Sequence, residues 1–174
     1  MTIREILIAP DPRLKTVAQE VKLVDDSIRA LADDMLQTMY DAHGIGLAAV
    51  QIGEPVRMVV IDVDQKDEEG KPPVRNPRVF INPKLTPTSE DWVETEEGCL
   101  SVPDIWEPVE RPATVHCEYL DRDGKPQTLE ADGMLAICLQ HEVDHLNGTL
   151  FIDHLSRLKR TMLLKKLAKA KKLK

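Results

Sequence analysis

Two histidines four residues apart, in the segment 140–148, constrain this chain of 174 residues more than any other feature. On a helix, His141 and His145 project from one face a turn apart, so both imidazoles can reach one metal ion. Glu142 follows the first histidine directly, where a carboxylate can take a proton from a metal-activated water without being a ligand. The HExxH spacing therefore predicts a metal-bearing helix of the kind found in metalloproteases. A surface helix that binds no metal is the plainer alternative.

The residues that precede this pattern describe the surroundings of such a metal. Met134, Ile137 and Cys138 lie seven, four and three residues before His141, so they share its helix face. A metal at this helix would therefore lie beside an apolar floor.

A catalytic metal of this kind takes three protein ligands and keeps a further position open for water. Phe151 stands where the metzincin motif needs its third histidine, and no glutamate follows Glu142, which removes the usual third ligand of thermolysin-like enzymes. Asp153 and His154 are the downstream candidates, and Cys99 is the upstream one. The residues alone do not decide which of these three is the third ligand.

Three separated motifs resemble, in their order and separations, the signature motifs of bacterial peptide deformylases of the type 1 family. The opening segment 10–14 is also similar to the N-terminal segment of that family, so the resemblance covers about residues 5 to 155. The three motifs are Gly44-Ile45-Gly46-Leu47-Ala48-Ala49-Val50-Gln51, Glu97-Gly98-Cys99-Leu100-Ser101 and Gln140-His141-Glu142-Val143-Asp144-His145.

The resemblance implies which residues hold the metal and which one moves the proton. Cys99, His141 and His145 would be the ligands of one divalent ion, and Glu142 would take a proton from the attacking water and pass it to the leaving amine. Thiolate with two imidazoles suits iron, zinc, nickel or cobalt. The family implies Fe²⁺ as the native metal.

The same resemblance implies the reaction, which removes the formyl group from an N-formylmethionyl peptide and releases formate. Charge on the formyl oxygen would be stabilised by the metal, the side chain of Gln51 and the backbone N–H of Leu100. Taken without the resemblance, Gln51 in its glycine-rich loop could equally be a turn-stabilising amide.

The methionine side chain of such a substrate needs an apolar pocket. Helix-face geometry and the resemblance together place Ile45, Met134, Ile137 and Cys138 around it. The backbone of Gly46 could hydrogen-bond an extended peptide, as an added strand does.

Three further residues near these motifs are open to two interpretations each. Trp106 stands where well-known family members often carry an arginine, and it could form an aromatic rim of the pocket or merely pack. Glu97 and Arg111 could form an ion pair that orients the Cys99 loop, or a plain surface pair.

Hydrophobic periodicity and turn residues predict an α+β fold, with small antiparallel sheets around a central HExxH helix and a C-terminal helix. Gly44 suits the left-handed position at the end of the first helix. The loop 65–77, rich in charge, glycine and proline, carries no predicted chemistry. The predicted elements are a helix over 25–44, strands over 57–64, 79–82 and 92–95, a hairpin over 113–131 and a helix that begins near 132.

Length and composition indicate one domain, with a catalytic part over 1–155 and a basic helix over 156–174. The formal charge is −7, and no stretch approaches the roughly 20 apolar residues of a membrane span. Three widely spaced cysteines and the absence of a signal-like N-terminus favour a reducing, cytoplasmic location, with no membrane partner. A monomer is expected.

The C-terminal segment differs in charge from the rest of the chain. Nine of the 23 basic residues follow residue 156 and no acidic residue does, which leaves 14 basic against 30 acidic residues elsewhere. A solvated basic face is the plain interpretation, and a nucleic-acid surface is the functional one. The resemblance implies ribosome docking. The predicted apolar face of this helix comprises Leu155, Leu158, Met162, Leu163 and Leu167.

Three other functions compete with a deformylase. A metalloprotease would use Asp153 or His154 in place of Cys99. A binding module would hold a structural zinc with a closed fourth ligand and use the tail for RNA. An inactive homologue would lack part of the site, but every residue that the resemblance requires is present, so the sequence favours the active enzyme.

Overall fold

The predicted HExxH helix is confirmed in the computed structural model, which describes residues 1–173. The three α-helices are α1 (Asp26–Asp41), α2 (Gly133–Leu146) and α3 (Arg157–Lys172). None of the helices in residues 1–173 is long and apolar enough to cross a membrane.

Helix α1 confirms the first predicted helix but ends differently from the prediction. Asp25 caps it, and its carboxylate accepts a hydrogen bond from the backbone N–H of Ile28 at 3.1 Å. The left-handed residue after the helix is His43, with φ of 58°, and not Gly44. Gly44 instead packs closely on Leu100, since a Cβ there would lie 2.7 Å from Cδ1 of that leucine.

A five-stranded antiparallel sheet forms one half of the fold, in the order β1-β2-β3-β6-β7. The predicted hairpin is confirmed as β6 and β7. The strand predicted over 57–64 is confirmed as β2 but is shorter, since it covers residues 58–61. The predicted strand over 79–82 is longer than expected, since β3 continues through Pro83 at a bulge where Asn82 has φ of 51°. The strands are β1 (Gly46–Ala48), β2 (Met58–Ile61), β3 (Arg78–Pro87), β6 (Val115–Leu120) and β7 (Pro126–Ala131).

A two-stranded sheet forms beside the first, from β4 (Trp92–Cys99) and β5 (Val102–Pro112). The prediction of a short strand over 92–95 was wrong in length, and β5 was not predicted. Prolines are tolerated here because a two-stranded sheet has two open edges. Cys99 is the last residue of β4 and directly precedes the turn to β5.

Strand β2 is buried on both faces, which explains its uninterrupted apolar sequence. Val59 and Ile61 face α2 in a cluster with Phe80. Met58 and Val60 face α1, on the other side of the sheet. The sheet therefore lies between α1 and α2, and the predicted α+β fold is confirmed.

Three of the five residues predicted for the apolar face of the C-terminal helix are confirmed. Leu155, Leu163 and Leu167 lie in an apolar cluster with Val102, Ile105 and Val109 of β5, together with Leu164, which was not predicted. Leu158 and Met162 are 74% and 62% exposed, so their assignment to the apolar face was wrong. Lys174, part of the predicted basic tail, lies outside the described residues.

The end of α2 is fixed by the N-terminal segment, which passes close to Gly148. The backbone N–H of Ala18 donates to the carbonyl of Leu146 at 2.8 Å. Gly148 has φ of +76°, and a Cβ there would lie 2.6 Å from the backbone oxygen of Lys15. Gly148 therefore combines a left-handed backbone with a contact that leaves no room for a side chain.

We expect Gly148→Ala to destabilise the protein more than Gly70→Ala, because the two glycines share a positive φ but differ in space. At Gly70, with φ of +77°, a Cβ would meet nothing within 4 Å. The left-handed backbone alone should cost about 1–2 kcal/mol at Gly70, and the backbone contact should add roughly 1–3 kcal/mol at Gly148. Urea unfolding of both variants measures the difference, and equal losses would contradict the steric explanation.

Candidate active site

Helix α2 presents its two histidines to the hairpin of β4 and β5, on the side away from the large sheet. The rings of His141 and His145 meet edge to face with centroids 5.2 Å apart. Ala136, Leu139 and Leu146 bury the opposite face of α2 in the core. The helix is thus fixed by its apolar face, and the helical spacing brings the two imidazoles together.

Cys99 completes a group of three metal-ligating side chains. Its Sγ lies 3.3 Å from Nε2 of His145, and the ligating atoms of Cys99, His141 and His145 lie within 4.8 Å of one another. Metal–ligand distances of about 2.0–2.3 Å in a tetrahedral site place ligand atoms roughly 3.3–3.6 Å apart. The three side chains therefore fit one divalent ion, and a thiol with two imidazoles is a suitable donor set.

The two other predicted candidates for a third ligand lie elsewhere. The ring of His154 hydrogen-bonds to the carboxylate of Asp144 at 2.8 Å. Asp153 accepts hydrogen bonds from Lys15 at 2.9 Å and from the backbone N–H of Leu150 at 2.8 Å. Both are held by protein partners, and neither joins the metal-ligating group found in residues 1–173.

A buried chain of hydrogen bonds orients His141. Its Nδ1 donates to Glu97 at 2.8 Å, which leaves Nε2 free for a metal. Arg111 donates to the same carboxylate with two nitrogens, at 2.6 and 2.9 Å, and donates to Asp144 at 2.9 Å. Glu97 and Arg111 are only 5% and 3% exposed, so this is not a surface pair.

Glu97 stays ionised although it is buried. Burial opposes ionisation, but the hydrogen bonds from His141 and Arg111 outweigh it and hold the pKa of Glu97 below its usual value. Asp144, which sequence reasoning did not select, is the second carboxylate on Arg111. The available signal was its position between the two histidines of the motif.

Glu142 lies beside the metal-ligating group in a different environment. Burial raises its pKa to about 7, against the attraction of His141 and Arg111. Its Oε1 is 4.0 Å from Nε2 of His141, and its Oε2 is a buried oxygen with no hydrogen-bond partner in the described chain. A free carboxylate oxygen with this affinity for protons suits a general base.

Gln51 is held beside Cys99 by two hydrogen bonds. It lies in the short 3₁₀ helix Ala49–Ile52 and is 1% exposed. Its Oε1 accepts from the backbone N–H of Ala48 at 2.8 Å, and its Nε2 donates to Oγ of Ser101 at 3.0 Å. Nε2 is also 3.6 Å from Sγ of Cys99, so the amide donor faces the site. Ser101 was not selected from the sequence, although it lies in the second motif.

A cavity of about 460 Å³ adjoins Cys99, His141 and Glu142. Ile137 and Cys138 are buried in it, whereas Ile45 and Met134 are 42% and 50% exposed. Burial also raises the pKa of the Cys138 thiol well above its usual value, so this thiol stays neutral. The predicted pocket residues that line the cavity are Ile45, Gly46, Met134, Ile137 and Cys138.

Close packing of two glycines shapes this cavity. A Cβ on Gly46 would lie 2.7 Å from Oε1 of Glu142 and 2.9 Å from Sγ of Cys138. A Cβ on Gly98 would lie 2.6 Å from the ring of Trp106, which also lines the cavity and is 65% exposed. Trp106 therefore forms an aromatic rim and packs on the hairpin at the same time.

A second cavity, of about 480 Å³, lies on another side of α2 and is lined by Arg111, Asp144 and His154 among others. Its lining includes neither Cys99 nor the two histidines of the motif. Of these two cavities, only the first adjoins the metal-ligating group.

A metal-ligating group next to a buried, unpaired carboxylate and an apolar cavity defines a metal-dependent hydrolase. The Polypeptide deformylase family model matches residues 3–161. Peptide deformylase of Agrobacterium fabrum is 58% identical over 170 residues, which cover 98% of this chain and 97% of that relative. The chain therefore belongs to the peptide deformylase family.

Other relatives agree in sequence and in structure. Peptide deformylase of Rhizorhabdus wittichii is 58% identical over 173 residues, with 99% of this chain and 97% of that relative covered. The crystal structure of peptide deformylase from Ehrlichia chaffeensis in complex with actinonin is 44% identical, covers 98% of each chain and has a TM-score of 0.90.

We expect Arg111→Met to lower both the stability of the protein and its affinity for metal. The change leaves the buried carboxylate of Glu97 without its cation, which should cost about 3–5 kcal/mol in the free energy of unfolding. Glu97, which orients His141, would also lose its own anchor, so metal affinity should fall roughly 10–100-fold. Urea unfolding of the metal-free protein and a metal titration measure the two effects.

The matched control is Arg29→Met, which removes the pair with the fully exposed Asp26. That pair should contribute less than about 1 kcal/mol and should not affect metal affinity. If Arg111→Met behaved like Arg29→Met, the buried pair would have no supporting role.

Proposed function

We propose that Cys99, His141 and His145 hold one divalent metal ion and that Glu142 is the general base of the reaction. The reaction of this hydrolase is the removal of the N-formyl group from the N-terminal formylmethionine of newly made polypeptides, with release of formate. The observation that carries the proposal is the unpaired, buried carboxylate oxygen of Glu142 beside a three-ligand group.

The metal that we propose is Fe²⁺, with Zn²⁺, Ni²⁺ or Co²⁺ as substitutes that the same donor set accepts. A divalent ion at this site supplies Lewis acidity towards water and towards the formyl carbonyl. Three protein ligands leave room for both, as a catalytic site requires.

The proton and the developing charge are handled by side chains and backbone of the chain. Glu142 takes the proton of the attacking water and gives it to the leaving amine as the C–N bond breaks. The Nε2 of Gln51 and the backbone N–H of Leu100 donate to the oxygen on which negative charge develops. The hydrogen bond from Ala48 to Oε1 of Gln51 supports this role, because it fixes which end of the amide faces the site.

The cavity beside Glu142 receives the methionine side chain. Ile137 and Cys138 form its floor, and Ile45 and Met134 stand at its mouth. Gly46 has no side chain that could block the approach of an extended peptide, so its backbone can bind the substrate as an added strand. Trp106 at the rim is available to the residues that follow the methionine.

The protein acts in the cytoplasm as a monomer and meets nascent chains at the ribosome through α3. Lys159 pairs with Glu107 at 2.6 Å, and Arg160 lies 3.8 Å from Asp153. The other basic residues of α3 form no salt bridge within the described chain, and they can therefore bind phosphate groups of RNA. These residues are Arg157, Lys165, Lys166, Lys169, Lys171 and Lys172.

Formate release from formyl-Met-Ala-Ser tests the proposed reaction. Protein purified without oxygen and loaded with Fe²⁺ should release formate. Glu142→Gln should lose about 10²–10⁴-fold in kcat while it retains the metal, because the shape stays and the base is lost. Cys99→Ala should lose the metal as well as the activity. Metal content is measured beside each rate.

Glu20→Gln is the control for the glutamate change, since Glu20 is exposed. It should leave the rate of formate release unchanged. Cleavage of an internal peptide bond, or Cys99→Ala with full metal content, would instead favour a metalloprotease. Absence of formate from the metal-loaded parent would refute the deformylase activity.

A charge reversal on α3 tests ribosome binding separately from catalysis. Lys165→Glu, Lys166→Glu and Lys169→Glu together should weaken co-sedimentation with ribosomes and reduce its dependence on salt, because fewer counterions are released. Formate release from the free tripeptide should stay the same. Unchanged co-sedimentation would refute a role of this helix in docking.

A further inference from the structure

The loop that follows β2 reaches back to the wall of the substrate cavity through one side chain. Nε2 of Gln65 donates to the carbonyl of Gly44 at 2.9 Å and to the carbonyl of Asp62 at 3.0 Å. A primary amide carries two N–H donors, so both donors of this nitrogen have acceptors. Gly44, Ile45 and Gly46 line the cavity.

Resting on the function proposed above, we propose that Gln65 is a positioning residue for substrate binding. It holds the cavity wall 44–46 at the separation from α2 that the methionine side chain needs. Gln65 does not itself line the cavity, so it acts through the wall and not on the substrate.

Each residue of this wall is paired with, or hydrogen-bonded to, the last residue of β2 or one of the four residues that follow it. The backbone N–H of Asp62 donates to the carbonyl of Ile45 at 2.8 Å, and Gly46 pairs with Ile61 in the sheet. Gly44 lies two residues before β1 begins, and its carbonyl accepts a hydrogen bond from the Gln65 side chain. Removal of that side-chain donor therefore loosens the wall at Gly44.

The wall is packed closely against residues of the candidate site, so a movement of the wall would disturb them. A Cβ on Gly46 would be 2.7 Å from Oε1 of Glu142, and a Cβ on Gly44 would be 2.7 Å from Cδ1 of Leu100. The backbone of the wall is therefore packed against Glu142 at Gly46 and against Leu100 at Gly44. A small displacement changes the width of the cavity between the wall and α2.

Asp62, just before the loop, is held firmly enough for Gln65 to restrain the cavity wall. Asp62 is 1% exposed, and its carboxylate accepts from the hydroxyl of Tyr40 at 2.6 Å and from the backbone N–H of Asn76 at 2.8 Å. These two bonds tie both ends of the loop 65–77 to α1. The loop to which no chemistry was assigned is thus anchored to the same carboxylate-bearing residue that holds Ile45.

Two substitutions separate the loss of the donors from the loss of shape. Gln65→Met keeps the length of the side chain and removes both donors. Gln65→Glu keeps the shape and turns an oxygen towards two carbonyl oxygens. The matched control is Gln127→Met, because Nε2 of Gln127 donates to Asp121 at 2.9 Å on the exposed turn between β6 and β7.

We expect Gln65→Met to raise KM for formyl-Met-Ala-Ser by about three- to tenfold, the size of the one hydrogen bond that holds the wall at Gly44, with kcat within about twofold. Gln65→Glu should raise KM further. A formyl-Ala peptide fills little of the cavity, so its KM should change less. Gln127→Met should match the parent on both substrates. An equal loss on the two substrates, or a fall in kcat alone, would refute the positioning role.

Hydrogen exchange provides a readout that needs no activity. The segment 43–48 should exchange faster in Gln65→Met and Gln65→Glu than in the parent and in Gln127→Met, because the wall is less restrained. If the parent released no formate, the proposed function would fail while exchange would still decide whether Gln65 holds the wall. Unchanged exchange in both Gln65 variants would overturn the inference.

Discussion

The buried ion pair between Arg111 and Glu97 is the interaction on which the geometry of this site depends. Two charges at about 4–5% side-chain exposure lose most of their hydration, so they are tolerated only where hydrogen bonds replace the water. Glu97 accepts from Arg111 and from His141, and Arg111 also binds Asp144. The pair therefore joins the β4–β5 hairpin to α2 and sets Cys99, two residues after Glu97, against the two histidines.

Contacts between the three sequence motifs follow the same logic, since each motif is held by the other two. Gln51 of the first motif donates to Ser101 of the second. Glu97 of the second accepts from His141 of the third, and the backbone of Gly46 in the first packs on Glu142 in the third. The amide of Gln51, the thiol of Cys99 and the side chains of His141, Glu142 and His145 come from three distant segments and are thus fixed by direct contacts. Such mutual support keeps reactive groups in place before a substrate arrives.

Elements with a clear local period could be predicted from the sequence, and elements with a broken period could not. The helices α1 and α2 and the hairpin of β6 and β7 have regular patterns. In β5 the buried positions are 102, 105, 109 and 111, and the first two are three residues apart because Asp104 has φ of 62° and shifts the alternation. That spacing is not the period of two expected for a strand. For α3 the periodic pattern assigned too many residues to the apolar face, since helical spacing alone cannot show that Leu158 and Met162 face solvent.

The polar contacts were the hardest to foresee, because a buried polar group needs a partner but the sequence does not say which one. His141 and Glu97 are 44 residues apart, Gln51 and Ser101 are 50 apart, and Gln65 and Gly44 are 21 apart. For residues inside the motifs, the resemblance indicated a site without showing these bonds. Gln65 lies outside every motif, in a loop whose composition indicates only exposure. Its two hydrogen bonds depend on where β2 ends relative to β1, and that register is a property of the folded sheet.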